Sequence, residues 1–108
     1  MAAVQQITPL DLDRMLRQSD PPLILDVRRA DEFATASIEG ALNIALDDLP
    51  YSLDEVPKGR AIVTLCHHGV RSARAAQFLQ EQGYTQVSSL EGGIDAWALQ
   101  VDKTVPRY

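Results

Sequence analysis

The chain has 108 residues, 45% of them hydrophobic and 23% charged, with a formal net charge of -5. These values suit one globular domain over residues 1–108, with a core over about 4–98 and a C-terminal tail over 99–108. The acidic balance excludes the basic face of a nucleic-acid binder, no apolar run reaches the about 20 residues that span a membrane, and one cysteine precludes an internal disulfide, as expected of a cytoplasmic protein.

In chain order, residues 4–7 read as an edge strand. Thr8-Pro9 opens a helix, because Thr caps free N–H groups and Pro at the first helical position loses no hydrogen bond. Leu12, Met15 and Leu16 give that helix its core-facing stripe, and Ser19-Asp20-Pro21-Pro22 ends it. Leu23-Ile24-Leu25-Asp26-Val27 is the near-continuous apolar run of a strand covered on both faces. Residues 29–36 read as a short helix and Ala41-Leu42-Asn43-Ile44 as a brief strand. Residues 47–60, broken by two prolines and a glycine, read as loop with a turn of helix over 52–55.

A second buried strand spans 61–65, and after Cys66 comes a helix whose Ala75, Phe78 and Leu79 share a face and whose Gly83 supplies the left-handed cap. Residues 86–90 form a further strand, Glu91-Gly92-Gly93 a turn, and 94–98 a short helix carrying Trp97. The remaining tail, 101–108, reads as loosely attached and is given no role. Strands alternating with helices imply an α/β fold, a mainly parallel sheet with helices on both faces. Ligands bind such sheets at the carboxyl ends of strands, where Cys66 falls.

The segment Cys66-His67-His68-Gly69-Val70-Arg71-Ser72 carries the chemistry. A loop curling into a helix N-terminus points backbone N–H groups inward, which favours a thiolate and makes an anion nest, and Gly69 permits the positive φ such a curl needs. Arg71 adds a guanidinium able to hold an oxyanion, and His67 and His68 add charge or donors according to pH. Cys66 is expected to be open to solvent. Taken singly, each residue has a plainer reading. Cys66 is then a core thiol, the histidines solvated loop residues, Arg71 and Arg74 surface charges, and Asp26 and Arg28 a surface ion pair at the same sheet edge. A core thiol followed by two histidines, a glycine and an arginine is hard to explain, so the functional reading of the loop is preferred. No second pair of metal ligands exists beside Cys66, His67 and His68, so neither zinc nor any cofactor is expected.

These residues resemble the rhodanese-like sulfurtransferase family in its single-domain form, over about residues 8–97. Leu25-Asp26-Val27-Arg28 with Asp31-Glu32-Phe33 is similar to the family's D-V-R…E-F element, and Ile38-Glu39-Gly40-Ala41-Leu42-Asn43-Ile44 to its I-x-G-A-x-N-I stretch. Cys66 through Ser72 resembles the active loop, and Leu90-Glu91-Gly92-Gly93-Ile94-Asp95-Ala96-Trp97 the closing signature. Ala36-Ser37 departs from the family's frequent Gly-His.

The resemblance implies a five-stranded, mainly parallel sheet and a Cys66 nucleophile that carries sulfur as a persulfide. It also implies donor binding by His67, His68, Gly69, Val70, Arg71 and Ser72, with support from Asp26, Arg28 and Glu32. The expected activity moves sulfur from a small anionic donor, thiosulfate ahead of mercaptopyruvate, to cyanide or a thiol. Nucleic acid and membrane are not expected partners. One alternative is a persulfide carrier or regulatory module fed by a partner protein. The other is a cysteine phosphatase or arsenate reductase, disfavoured because four residues separate Cys66 from Arg71 and the related phosphatases use a loop one residue longer.

Overall fold

A computed structural model describes residues 4–108. Its elements are β1 (Gln5–Ile7), α1 (Pro9–Leu16), β2 (Leu23–Asp26), α2 (Ala30–Thr35), β3 (Leu42–Asn43), β4 (Ile62–Leu65), α3 (Val70–Glu81), β5 (Val87–Leu90) and α4 (Gly93–Gln100). The five strands form one sheet in the order β1-β5-β4-β2-β3, with every neighbouring pair parallel. The strand carrying Cys66 at its end is therefore central, and the strand bearing Asp26 lies beside it.

Period-two alternation divides the apolar residues between two cores. Ile24, Val63, Leu65 and Leu90 pack with Leu12 of α1 and with Ile94 and Trp97 of α4. Leu25, Ile62, Cys66 and Val87 pack on the other face with Ala75, Ala76 and Leu79 of α3. Burial on both faces explains why β2 and β4 read as apolar runs with no polar side. At the start of α1 the expected cap is present and reciprocal: the Asp11 N–H donates to Thr8 Oγ1 at 3.1 Å, and the Thr8 N–H to Asp11 Oδ2 at 3.2 Å.

Two stretches differ from the sequence reading. Residues read largely as loop form two 3₁₀ helices, Leu46–Tyr51 and Leu53–Glu55. They are seated by Leu49 and Val56, both buried, and by the Tyr84 hydroxyl, which donates to the Val56 carbonyl at 2.7 Å. The tail is also not loose. Val105 is buried in the core beside Trp97, and Arg107 Nε donates to Asp95 Oδ1 of α4 at 2.8 Å. Pro50, Pro57 and Gly59 interrupt the first stretch and mask its apolar anchors, and Val105 stands alone among polar residues in the second, so both look structureless in sequence.

Candidate active site

Cys66 follows β4 at the middle of the sheet's carboxyl edge. Its neighbour across the edge is Val27, whose N–H donates to the Leu65 carbonyl at 2.9 Å. The loop after Cys66 is held from two sides. On one side Thr64 Oγ1 donates to the Ser72 carbonyl at 2.8 Å, tying β4 to the first turn of α3. On the other, the first amides of α4 donate into the loop, Ile94 N–H to the Cys66 carbonyl at 2.8 Å and Asp95 N–H to the His67 carbonyl at 3.2 Å. Glycines make this approach possible. Gly69, at φ 112°, precedes α3, and a Cβ on Gly93 would sit 2.4 Å from the carbonyl oxygens of Cys66 and His67.

Around the sulfur, the Gly69 N–H donates to Sγ at 3.0 Å, and the thiol lies 3.4 Å from the Ser72 hydroxyl. That hydroxyl also reaches the Gly69 carbonyl at 3.2 Å and Ser89 Oγ of β5 at 2.9 Å. Ser72 Oγ accepts from the thiol, and by rotating its proton it can donate to a thiolate instead. The positive end of the 12-residue α3 adds to the Gly69 amide. An amide and a helix N-terminus face the sulfur, but Cys66 is only 1% exposed. The expected open sulfur is therefore corrected. It points from the central strand toward α3 and is roofed by its own loop.

Arg71 lies near enough for Cys66 to favour its charge, but its fork is directed to α2. Nη1 donates to Glu32 Oε1 at 2.6 Å and Nη2 to Oε2 at 3.0 Å. A nearly buried carboxylate requires such a partner, and no sequence spacing announces one 39 residues away. The Arg71 fork, opposed by burial and assisted by Tyr108, holds the Glu32 carboxyl down at about 2. Arg71 is one-third exposed and, with Val27, Arg29, Ala45, Leu46 and Asp47, lines a cleft of about 320 Å³. That cleft opens beside Cys66's neighbour Val27.

Asp26 and Arg28 are both fully buried, which rules out the surface ion pair. Arg28 Nη2 donates to Asp26 Oδ2 and to the Ala36 carbonyl, each at 2.6 Å, and the Asn43 side chain donates to the Asp26 and Arg28 carbonyls at 3.0 and 2.9 Å. Together they brace the turn from β2 to α2, which delivers Glu32.

The histidines diverge. His68 on the loop and Val70 at the start of α3 are exposed. The His67 ring lies between those of His68 and Tyr108, with centroids 4.0 and 3.9 Å away. Burial, and next the charge of His68, push the His67 pKa below its ordinary 6.5. Its buried Nε2 has no hydrogen-bond partner among the described residues. Protonation of His67, which the sequence reading left to pH, is thus disfavoured, since it would put a donor where nothing accepts. Sequence reasoning missed Ser89 and Tyr108. Ser89 is one of two serines in an otherwise apolar strand, and Tyr108 follows a proline-containing tail with no local motif.

The five-stranded parallel sheet is the one the sequence resemblance implied. The Rhodanese-like domain family matches residues 8–100. The chain belongs to this rhodanese-like family. Among its relatives, the Sulfurtransferase of Allochromatium vinosum is 37% identical over 95 residues, covering 88% of this chain and 89% of its own. The Thiosulfate sulfurtransferase GlpE of Shewanella oneidensis is 39% identical over 74 residues, 68% of this chain and 73% of its own. The rhodanese-like domain protein from Staphylococcus aureus superposes with a TM-score of 0.85 at 31% identity, over 97% of this chain and 99% of that one. The chain spans only 24% of the length of the Adenylyltransferase and sulfurtransferase MOCS3-1 of Zea mays, which it matches at 39% identity. Two relatives that the chain spans over most of their own length are thus named sulfurtransferases. Among the described residues no helix is long and apolar enough to cross a membrane.

Proposed function

We propose that this rhodanese-like protein transfers sulfane sulfur from a small anionic donor, thiosulfate, to cyanide or a thiol through a Cys66 persulfide. The observation that carries the reading is the Gly69 N–H aimed at Sγ from 3.0 Å, at the start of α3. In the first step the Cys66 thiolate attacks the outer sulfur of thiosulfate. A new S–S bond forms, the donor's S–S bond breaks, and sulfite leaves with its electron pair. The α3 N-terminus and Arg71 stabilise the charge that arrives and departs. In the second step cyanide or a thiolate attacks the terminal persulfide sulfur, and Cys66 leaves as thiolate. No proton or electron is left over with cyanide, whose product is thiocyanate.

The remaining parts follow from their positions. Arg71 receives the sulfonate end on the guanidinium edge that Glu32 leaves free, and the cleft along Val27, Arg29 and Asp47 is the approach for donor and acceptor. Ser72 and Ser89 support the sulfur from the buried side. Asp26 and Arg28 brace the frame.

The test is steady-state transfer with thiosulfate and mercaptopyruvate side by side, together with the mass of the protein after incubation with thiosulfate. A gain of one sulfur atom on Cys66 and faster turnover with thiosulfate are expected. Cys66→Ser should abolish both while leaving the melting temperature within a few degrees, and undiminished thiosulfate:cyanide activity in that variant would refute the mechanism. If the wild-type protein gains no sulfur, the partner-fed carrier replaces the thiosulfate reading.

A further inference from the structure

The tail leaves α4, sinks Val105 into the core, and pins Arg107 to Asp95 of α4. Just before Val105, the Thr104 N–H donates to Asp102 Oδ1 at 3.0 Å, which sets a turn. These anchors carry Tyr108 back over the active loop, 76 residues in sequence from Glu32. There its ring lies 3.9 Å from that of His67, with only 8° between their planes. Its hydroxyl accepts from Arg28 Nη1 at 2.9 Å and donates to Glu32 Oε2 at 2.8 Å.

The order of these bonds matters. Arg28 can only donate, so it occupies the lone-pair side of the phenol and turns the single O–H proton toward Glu32. Glu32 Oε2 then accepts from Tyr108 and Arg71, while Oε1 accepts from Arg71 and, at 3.2 Å, from the Arg29 N–H. A carboxylate held at both oxygens presents a fixed plane, and a bidentate guanidinium takes its orientation from that plane. The buried Asp26–Arg28 pair therefore reaches Arg71 through one phenol and one carboxylate.

We propose that Tyr108 is a positioning residue of this site: it fixes Glu32, and through Glu32 sets the direction in which Arg71 meets the anionic donor. The inference rests on the sulfurtransferase reading for its substrate, and on geometry alone for the link from Tyr108 to Arg71. A phenol that acts this way affects donor capture more than the chemistry at sulfur.

Tyr108→Phe keeps the ring and its stacking on His67 but removes both hydroxyl bonds. Its KM for thiosulfate should rise about three- to tenfold, the worth of one such hydrogen bond, with a smaller change in kcat. In a Glu32→Gln background the same substitution should have little further effect, because the route through the carboxylate is already altered. The second readout needs no turnover: the Arg71 guanidinium N–H resonances should be resolved in the wild-type protein and averaged by free rotation in Tyr108→Phe. Unchanged resonances and KM in Tyr108→Phe overturn the proposal, as does a loss confined to kcat with an equal loss of thermal stability. Should the wild-type protein fail to use thiosulfate, the donor reading falls. The Arg71 resonances then still decide the role of Tyr108.

Discussion

Arg71 is drawn in two directions. Glu32 takes its fork, and the side chain as a whole is one-third exposed; in the proposed reaction the other guanidinium edge meets the anionic donor. Lysine at this position keeps a positive charge but offers no planar fork, so it cannot hold Glu32 at both oxygens and present a second edge. Arg71→Lys is expected to lower kcat/KM for thiosulfate about tenfold or more, mostly through KM. Steady-state kinetics check this, and a normal KM would mean that the donor does not meet Arg71. Cys66 has the reverse arrangement. Its side chain is buried, with the Gly69 amide donating to Sγ and the Ser72 hydroxyl accepting from it.

At the scale of elements, two helix N-termini meet at the Cys66 loop. That of α3 faces the sulfur, while that of α4 holds the carbonyls of Cys66 and His67 from behind. Gly93 is the point of closest approach, with φ 63° and no room for a Cβ. Gly93→Ala must therefore push α4 off the loop and adopt a backbone region unfavourable to an L side chain. The combined cost is about 2–5 kcal/mol. In a domain of this size that lowers Tm by about 10 °C or more, measurable by thermal unfolding. Transfer activity should fall with it at temperatures where the variant is still folded. A variant of unchanged Tm would show that the α4 turn has slack that the structure does not.

At the scale of the whole molecule, the buried charges tie stability to pH. Glu32 titrates at about 2 when folded against an ordinary 4.5, so the unfolded chain binds the proton first as pH falls. Its contribution, at most about 3 kcal/mol, is complete above pH 4.5 and is lost as pH drops through 2. His67, shifted below its ordinary 6.5, acts in the same direction from a higher pH, because its unfolded form protonates before its folded form. Urea unfolding should therefore show stability declining below pH 6.5 and more steeply below 4.5. Glu32→Gln should flatten the acid part of that curve; an unchanged slope between pH 5 and 3 would assign the acid loss to other carboxylates.

Much of this architecture is local and so was legible in the residues themselves. The apolar runs over 23–27 and 61–65, the Thr8-Pro9 start, the Gly83 cap and the Gly92-Gly93 turn are each set by interactions within a few positions, and the structure places elements there. The loop from Cys66 to Ser72 was singled out on the same local ground, from its residue types alone, and its anion chemistry belongs to the proposed function. Tertiary structure alone decided how deeply the sulfur lies, that Asp26 and Arg28 are buried, and that Arg71 grips Glu32. It also brought Tyr108 onto Glu32 and Ser89 against Ser72. These contacts join residues far apart in the chain, and they form because the sheet order and packed tail bring buried polar groups together where each must find a partner. Which partner each finds is a matter of three-dimensional proximity, and sequence periodicity carries no record of it.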